Sequence, residues 1–238
     1  MSWHFLLAHA IRLHSAGTCR QDVHVEVAHV SRRTYGGKSA EQRRVERRAR
    51  LVDAALEIWQ EQGWAAVTMR GVCAQAGLSD RYFYESFTDR EELLGTVWDQ
   101  MRDETLAMIL TAISDAADKG ALEQLRLALD ATVHHIADEP NRAQIIFGDH
   151  AGSAVLEQRR RDTVQLSTDL MIELARPFLR DDADEQALRI NIMLGIGGFV
   201  ELILAWRDGL IELSPDQIVD HLADVGAALG SRFLKPTT

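Results

Sequence analysis

Proline and aromatic residues are scarce in this sequence. Four prolines and 6% Phe, Trp and Tyr are spread over 238 residues, whereas Ala, Leu, Glu and Arg recur throughout. Such a composition favours long helices over a sandwich or barrel built from many short strands. Because 46% of the residues are hydrophobic, the chain can bury one large core or two smaller ones. We therefore expect an all-α protein.

Cysteine is almost absent, and no membrane or export segment stands out. Cys19 and Cys73 are far apart and lack metal-ligand spacing. The apolar stretch from Phe5 to Ala8 is short and follows no basic run, although a signal peptide is an alternative reading. No uninterrupted apolar run reaches the roughly 18 residues of a membrane span. These features favour a reducing cytoplasm.

Signatures of catalysis are also missing. We find no Ser-His-Asp or Cys-His set, no paired acids in a recognisable frame and no phosphate-binding glycine loop. His134 and His135 are adjacent on a predicted helix and point in different directions, which disfavours joint metal binding. We expect neither an enzyme nor a cofactor or metal.

Charge is distributed unevenly along the chain. The net charge of −10 comes from residues 101–238, with 13 Lys+Arg against 23 Asp+Glu, while residues 1–100 carry 13 of each. A basic segment at 32–50 holds eight basic side chains and two acidic ones, a local charge of +6: Arg32, Arg33, Lys38, Arg43, Arg44, Arg47, Arg48 and Arg50. Such a segment can lie along phosphates, because neutralising them releases counterions; a solvated leader is the alternative. We take Arg44 and Arg48 as candidate DNA contacts.

Local signals between residues 43 and 95 predict a group of short helices. Residues 1–42 show no sustained period and are expected to form a flexible extension, which could reflect an upstream start codon. Apolar residues then recur every three or four positions until Gly63. Thr68 can cap a second helix, Gly77 can make a left-handed turn, and Ser79 can cap a third helix. A fourth helix should begin at a cap formed by Thr88 or Asp89. This order predicts a helix-turn-helix whose second helix is free to enter a major groove.

The same stretch resembles the DNA-binding domain of the TetR family of bacterial repressors. The resemblance covers about 50 residues and rests on the pattern ending at Gly63, on Thr68, on Ala76-Gly77-Leu78-Ser79, on Tyr84 and Phe87, and on Arg90-Glu91 followed by Leu93-Leu94. It implies a DNA-binding domain at 43–95 and an effector-binding and dimerisation domain at 96–238. It also implies a homodimer on a palindromic operator and release by a small-molecule effector.

The resemblance also implies DNA contacts residue by residue. Arg81 is the best candidate for reading a base, because a guanidinium can bond both acceptors of guanine. The implied contacts to phosphates, groove edges and bases are Thr68, Arg70, Ser79, Asp80, Arg81, Tyr82, Tyr84 and Arg90.

Three positions depart from the family pattern. Asp80 and Arg81 stand where the family commonly has lysine and glycine, and Ser86 stands where histidine is common. Asp80 would repel phosphate, so it could instead orient Arg81 or accept from a cytosine amine. Phe83 and Phe87 are expected in the core, as is Cys73, whereas Tyr84 could either pack or bind phosphate.

The C-terminal part shows helical patterns at about 121–138, 140–149, 153–180, 184–207 and 215–233. Residues 190–206 are apolar nearly all round, which suggests a partner subunit on one side, although burial within one subunit is the alternative. Residues expected at the dimer interface are Ile192, Ile196, Phe199, Ile203, Ile218 and Leu222. Residues that could line an effector cavity, with an ordinary core as the alternative, are Trp98, Met101, Met108, His134, Ile145, Phe147, Met171 and Phe199.

The sequence therefore predicts a cytoplasmic, dimeric, DNA-binding transcriptional regulator. Release of a repressor from its operator by a small-molecule effector is the expected mechanism, with activation left open. The alternative is a helical protein-interaction module without sequence-specific DNA binding. Neither the operator nor the effector is identified by the sequence.

Overall fold

A computed structural model describes residues 39–236 of the chain. The compact units are Met1–Val45 and Glu46–Thr238. The flexible extension expected at residues 1–42 lies outside the described residues except for its last four positions, which include the start of the first helix. The described part holds nine α-helices, which confirms the all-α prediction: α1 Ala40–Gln62, α2 Met69–Ala76, α3 Asp80–Tyr84, α4 Arg90–Asp115, α5 Ala121–Asp138, α6 Pro140–Phe147, α7 Ala154–Ala175, α8 Glu185–Arg207 and α9 Pro215–Gly230.

The helix-turn-helix is defined by the predicted caps and turn. The Thr68 hydroxyl accepts a hydrogen bond from the Gly71 amide and so satisfies one free donor at the start of α2. Gly77 ends α2 with φ of +60°, a conformation that side-chain-bearing residues rarely adopt. Ser79 occupies the N-cap position of α3, but its hydroxyl makes no capping bond. The positions of both caps and of the turn are thus as predicted, but the capping hydrogen bond expected of Ser79 is not formed.

Later helices also begin at the expected residues. Asp89 caps α4 by accepting from the Glu92 amide. Ser214 and Gln217 form a reciprocal capping box at the start of α9, where each side chain bonds the other's backbone. Pro140 opens α6 at a position where the missing amide costs nothing. These local bonds fix the helix boundaries independently of the packing.

One apolar core holds α2, α3 and the second half of α1 against the beginning of α4. Trp59, Phe83, Phe87 and Trp98 are almost completely buried in it, and Cys73 packs among them. Phe83 and Phe87 are therefore core residues, as predicted. Ile145 of α6 is also fully buried in this core, so α6 joins the helix-turn-helix to the remainder of the unit.

The helices α4 to α9 form a bundle. α5 packs on α4 and α9, and α7 packs on α4 and α8. The amides of Arg180 and Lys235 donate to the carbonyls of Phe233 and Phe178, which fastens the segment after α9 to the segment after α7. The bundle encloses a second apolar core, formed largely by α5, α6, α8 and α9.

Two predicted dimer residues belong to that second core. The side chains of Ile203 and Ile218 are completely buried within the subunit. The prediction for these two residues was wrong because the inward-facing side of α8 and α9 cannot be distinguished from the outward-facing side when both are apolar.

Candidate nucleic-acid interface and effector cavity

The short helix α3 presents its outer side to solvent. The Arg81 side chain is 84% exposed and Tyr84 is 61% exposed, and Ser79 and Asp80 are exposed as well. Phe83 on the opposite side is fully buried and packs edge-on against Tyr84, with ring centroids 5.6 Å apart. The buried phenylalanine fixes the helix, and its outer side is left accessible for a groove.

Arg81 pairs with Glu85 and not with Asp80. Its Nε lies 3.0 Å from Glu85 Oε1, and Arg47 reaches the other oxygen of the same carboxylate at 3.4 Å. The Arg47 guanidinium also lies 4.4 Å from the centre of the Tyr82 ring. The idea that Asp80 orients Arg81 was therefore wrong. Because an exposed ion pair contributes only about 0–1 kcal/mol, Arg81 can leave Glu85 at little cost when a better acceptor is offered.

Asp80 interacts with α2. Burial raises the pKa of the Cys73 thiol, and the neighbouring carboxylate of Asp80 raises it further by charge repulsion and by accepting the thiol hydrogen. The thiol therefore stays protonated at neutral pH. This contact connects the first turn of α3 to the middle of α2 across the turn.

Arginines of the predicted phosphate-binding segment hold the helix-turn-helix together. Arg48 donates to the Ser86 carbonyl at 3.0 Å and covers the Phe87 ring at 4.1 Å. Arg50 donates to the Ala76 carbonyl at the end of α2. Arg48 therefore positions the end of α3, and the phosphate contact expected of it stays a prediction. Arg44 lies exposed on the first turns of α1, in the unit that ends at Val45.

Arg90 is likewise occupied by the protein. Its guanidinium donates to the carbonyls of Trp64, at 2.7 Å, and of Val67, and it pairs with Glu91 at 2.7 Å. Arg90 therefore positions the turn between α1 and α2, and the phosphate contact expected of it stays a prediction. Arg70, on the first turn of α2, is exposed and stays a candidate phosphate contact.

Three polar contacts join the helix-turn-helix to the bundle. The Gln144 amide of α6 donates to the carbonyl of Gln60 at 2.7 Å, near the end of α1. The Ser153 hydroxyl, at the cap of α7, donates to Glu91 Oε2 at 2.9 Å. Arg159 of α7 pairs with Asp99 of α4 at 3.1 Å. Helices α6 and α7 are therefore bonded directly to α1 and α4.

His150 lies at the same junction, and no sequence pattern had singled it out. Its ring packs edge-on between Trp59 and Trp98, with centroids 5.9 and 4.8 Å away. The residue is buried, and neither ring nitrogen makes a hydrogen bond of good geometry. Burial lowers the pKa of His150 to about 4, which the nearby Ile145 carbonyl opposes and the Arg160 charge favours. The imidazole is therefore neutral at physiological pH.

A cavity of about 360 Å³ lies inside the bundle. Four of the predicted effector residues line it: Trp98, Phe147, Met171 and Phe199. Four residues expected at the dimer interface also line it, namely Ile192, Ile196, Leu222 and Phe199, which was expected at both sites. Met101 and Met108 instead border a separate space of about 250 Å³ next to Glu104 and Arg142. Ile145 lies in the core of the helix-turn-helix and not at the cavity.

His134 was wrongly assigned to the cavity. Its Nδ1 lies 3.0 Å from the Asp130 carbonyl, and its Nε2 lies 3.3 Å from an Asp216 carboxylate oxygen at the start of α9. The backbone hydrogen bond and the surrounding acids raise the pKa of His134. Donor atoms of Asp130, His134 and Asp216 lie within 4.8 Å of one another, and the imidazole, when protonated, pairs with both carboxylates at the surface.

The outer face of α8 is apolar and exposed. Ile190, Met193 and Leu194 are each at least half exposed, and Gly197 and Gly198 continue the same surface. By length and composition α8 is able to cross a membrane, and only 11% of its apolar window is buried. The outer residues recur every three or four positions in the sequence. Because the inner residues of α8 do the same, the outer face could be recognised only once the inner face was known.

Comparisons with known proteins agree on one family. Residues 51–97 match the sequence family described as bacterial regulatory proteins, tetR family. The chain is similar to the HTH-type transcriptional regulator BetI of Rhizobium meliloti, with 30% identity over 149 residues that cover 59% of this chain and 70% of that protein. It is also similar to the HTH-type transcriptional activator FasR of Mycolicibacterium smegmatis, with 25% identity over 154 residues, 65% of this chain and 68% of the relative.

The fold is shared with solved structures. The regulator FadR from Bacillus subtilis, solved in complex with stearoyl-CoA, superposes with a TM-score of 0.58 at 17% identity. The superposition covers 74% of this chain and 96% of FadR. The likeness thus extends beyond the matched segment and includes the helical bundle.

Proposed function

This chain belongs to the TetR family of helix-turn-helix transcriptional regulators, and on that premise we propose that it is a dimeric repressor released from a palindromic operator by a small-molecule effector. As a family member it is a DNA-binding regulator and not an enzyme, and its DNA target lies inside the cell. We place it in the cytoplasm, with DNA binding at residues 43–95 and effector binding and dimerisation at 96–238.

The observation that carries the proposal is that the outer side of α3 is exposed while its inner side is fixed in the core. Arg81 and Tyr84 extend into solvent while Phe83 is locked in the core. A guanidinium in this position can make two hydrogen bonds to guanine, whereas Tyr84 and Arg70 at the edges can reach phosphates. We therefore expect Arg81 to recognise the base sequence, and we expect its neighbours to set the position of the protein along the DNA.

A second copy of the chain is the proposed cover for the outer face of α8. The opposite side of this helix contributes Ile203 to the subunit core and Phe199 to the cavity, so α8 is already half enclosed by its own bundle. A membrane would have to contact the remaining helices as well, and these carry charged outer faces. The small residues Gly197 and Gly198 allow a partner helix to approach closely. Two copies would present two α3 helices, as a palindromic operator requires.

Effector binding is coupled to DNA binding through residues that lie between the cavity and the helix-turn-helix. Trp98 borders the cavity and also belongs to the core of the helix-turn-helix. Phe147 borders the cavity, while Gln144 one turn earlier on α6 bonds to the end of α1. An effector that favours one arrangement of α4 and α6 will shift the population of DNA-binding dimers. The stearoyl-CoA bound to FadR supports an effector role for the cavity.

The test is a titration of fluorescent DNA taken from upstream of the chain's own gene, at fixed salt. Replacing Arg81 with Ala is expected to weaken binding by about 1–3 kcal/mol, the usual value of a bidentate guanine contact. Arg161, an exposed arginine of α7, provides the matched control, and R161A is expected to bind like the wild type. Equal affinity for R81A would remove Arg81 from the interface. Weak, sequence-indifferent binding by the wild type would favour the protein-interaction module.

A further inference from the structure

We propose that the cavity binds a long unbranched acyl chain whose anionic head group lies at Arg160. This inference rests on the effector role proposed for the cavity, and it adds the class of ligand and its orientation. A free fatty acid and a fatty acyl thioester of coenzyme A share this chemistry. The length of the cavity, the apolar character of its wall and the position of its charged residues each support the proposal separately.

The cavity is long. Its lining on α4 extends from Trp98 to Ile113 and its lining on α7 extends from Arg160 to Ala175. Each stretch has a length of about 22 Å, at 1.5 Å per residue along a helix. Trp98 donates to Thr163 at 3.3 Å, which places the starts of the two stretches side by side. A volume of about 360 Å³ along this length accommodates an extended chain.

The wall offers almost no polar partner to a ligand. Thr105 and Thr132 donate to carbonyls of the preceding turn of their own helices, and Thr163 does the same. The Gln124 amide donates to carbonyls at the end of α4 and just beyond it. Because these groups are satisfied within the protein, a sugar or a nucleoside would lose its hydrogen bonds to water without replacement. Methylene groups lose no hydrogen bond and are stabilised by leaving water.

Charge is confined to the end of the cavity nearest the helix-turn-helix. Arg102 is largely buried and is neutralised by Asp99 and Asp103, both at 2.8 Å. Arg160 is exposed, borders the cavity and forms no ion pair with any residue between 39 and 236. A carboxylate or phosphate at this end would therefore meet an unneutralised guanidinium, the donor best suited to such groups.

The length of the cavity sets the length of the chain. Tetrahedral carbon chains advance about 1.25 Å per carbon, so about 22 Å accommodates roughly 16 to 18 carbons. A chain of eight carbons would leave half of the apolar wall uncovered. A strong dependence on chain length is therefore expected.

Calorimetric titration of the full-length protein without DNA tests the inference. The probes are hexadecanoate, hexadecanoyl-CoA, octanoate and the uncharged hexadecanol, all below their micelle concentrations. We expect at least one of the two charged C16 probes to bind at least a hundredfold more tightly than octanoate. R160Q should weaken that binding about tenfold and leave hexadecanol unchanged, whereas R161Q, altering the neighbouring exposed arginine, should have no effect.

A second pair of variants tests whether the acyl chain lies along the cavity. Ser167 borders the cavity midway along α7, while Gln165 on the same helix is exposed and does not. S167W should abolish binding of the C16 probe and Q165W should preserve it, with circular dichroism confirming that both fold. R160Q is a surface change and keeps the test valid if S167W does not fold.

The possible outcomes distinguish the two sources of the acyl chain and test the chain-length and head-group assignments separately. Binding of hexadecanoate identifies the free acid, and binding of the thioester alone identifies the coenzyme A form. Equal affinity for C8 and C16 overturns the chain-length argument, and equal effects of R160Q and R161Q overturn the head-group assignment. DNA binding is measured separately, so a protein that binds its operator but no C16 probe refutes this inference and leaves the proposed function intact.

Discussion

Replacing His150 with Phe should remove much of the acid sensitivity of this fold. The imidazole is buried between Trp59 and Trp98 without a good hydrogen-bond partner, and its pKa is lowered from 6.5 to about 4. Phenylalanine has a similar shape and keeps both edge-on contacts. At neutral pH the variant should be as stable as the wild type or slightly more stable, because two unsatisfied nitrogens disappear.

The direction of the pH effect follows from the lowered pKa. Above pH 6.5 the histidine is neutral in both folded and unfolded chains and contributes no pH dependence. Between pH 6.5 and about 4 the unfolded chain binds a proton that the folded chain does not, so stability falls as the pH falls. The full loss is about 3 kcal/mol at 1.36 kcal/mol per pH unit, and about 2 kcal/mol of it is reached by pH 5.

Urea denaturation at pH 7.5 and pH 5.0, at one protein concentration, measures this effect. The wild type should lose about 2 kcal/mol more unfolding free energy per subunit between the two pH values than H150F. Other titrating groups, including His134 with its raised pKa, act equally in both proteins and cancel. H150Q cannot titrate and should behave like H150F in pH dependence while being less stable at neutral pH. A difference below about 0.5 kcal/mol between wild type and H150F would refute the reasoning.

Three further substitutions test positioning residues and the dimer. R90A should lower the unfolding free energy by about 2–3 kcal/mol in urea, because the carbonyls that it bonds lose a charged donor; R90K should lose less, and equal losses would contradict the role of the guanidinium fork. G77A should cost about 1–2 kcal/mol since φ is +60° there, whereas G120A, at the N-cap of α5 with a φ of −70° and open space around it, should cost only about 0.5 kcal/mol through the weaker capping preference of alanine; the same melting temperature for both would contradict the turn argument. L194E should yield monomers in sedimentation, and L210E, changing a leucine that is 79% exposed in a loop, should not; intact dimers with L194E would exclude this face of α8.

Capping and turn residues made the helix boundaries predictable. Thr68, Gly77 and Asp89 act on backbone groups within three or four positions of themselves, so the bonds that they form are visible in the order of residues alone. The helix-turn-helix and its exposed outer side were predicted correctly for that reason. The family resemblance added the functional class, because it depends on the same local positions.

The contacts that the sequence left undecided have a different physical origin. Arg48 and Arg90 were expected on DNA, and the structure adds that their guanidinium groups bond carbonyls that lie 38 and 26 residues away in the chain. Ile203 and Ile218 were expected at a dimer interface, yet both lie in the core of one subunit. In each case the residue type was right for either role, and only the rotation of the helix decided which role it has.

The sequence alone therefore determined the helices, their ends and the class of DNA-binding motif, since these depend on hydrogen bonds between near neighbours. Tertiary structure alone decided which arginines bond the protein's own carbonyls, that the cavity is bordered by Arg160, and that His150 is enclosed by two tryptophans. Those features depend on which faces of distant helices pack together. Such packing follows from the burial of many side chains at once and is not encoded at any single position.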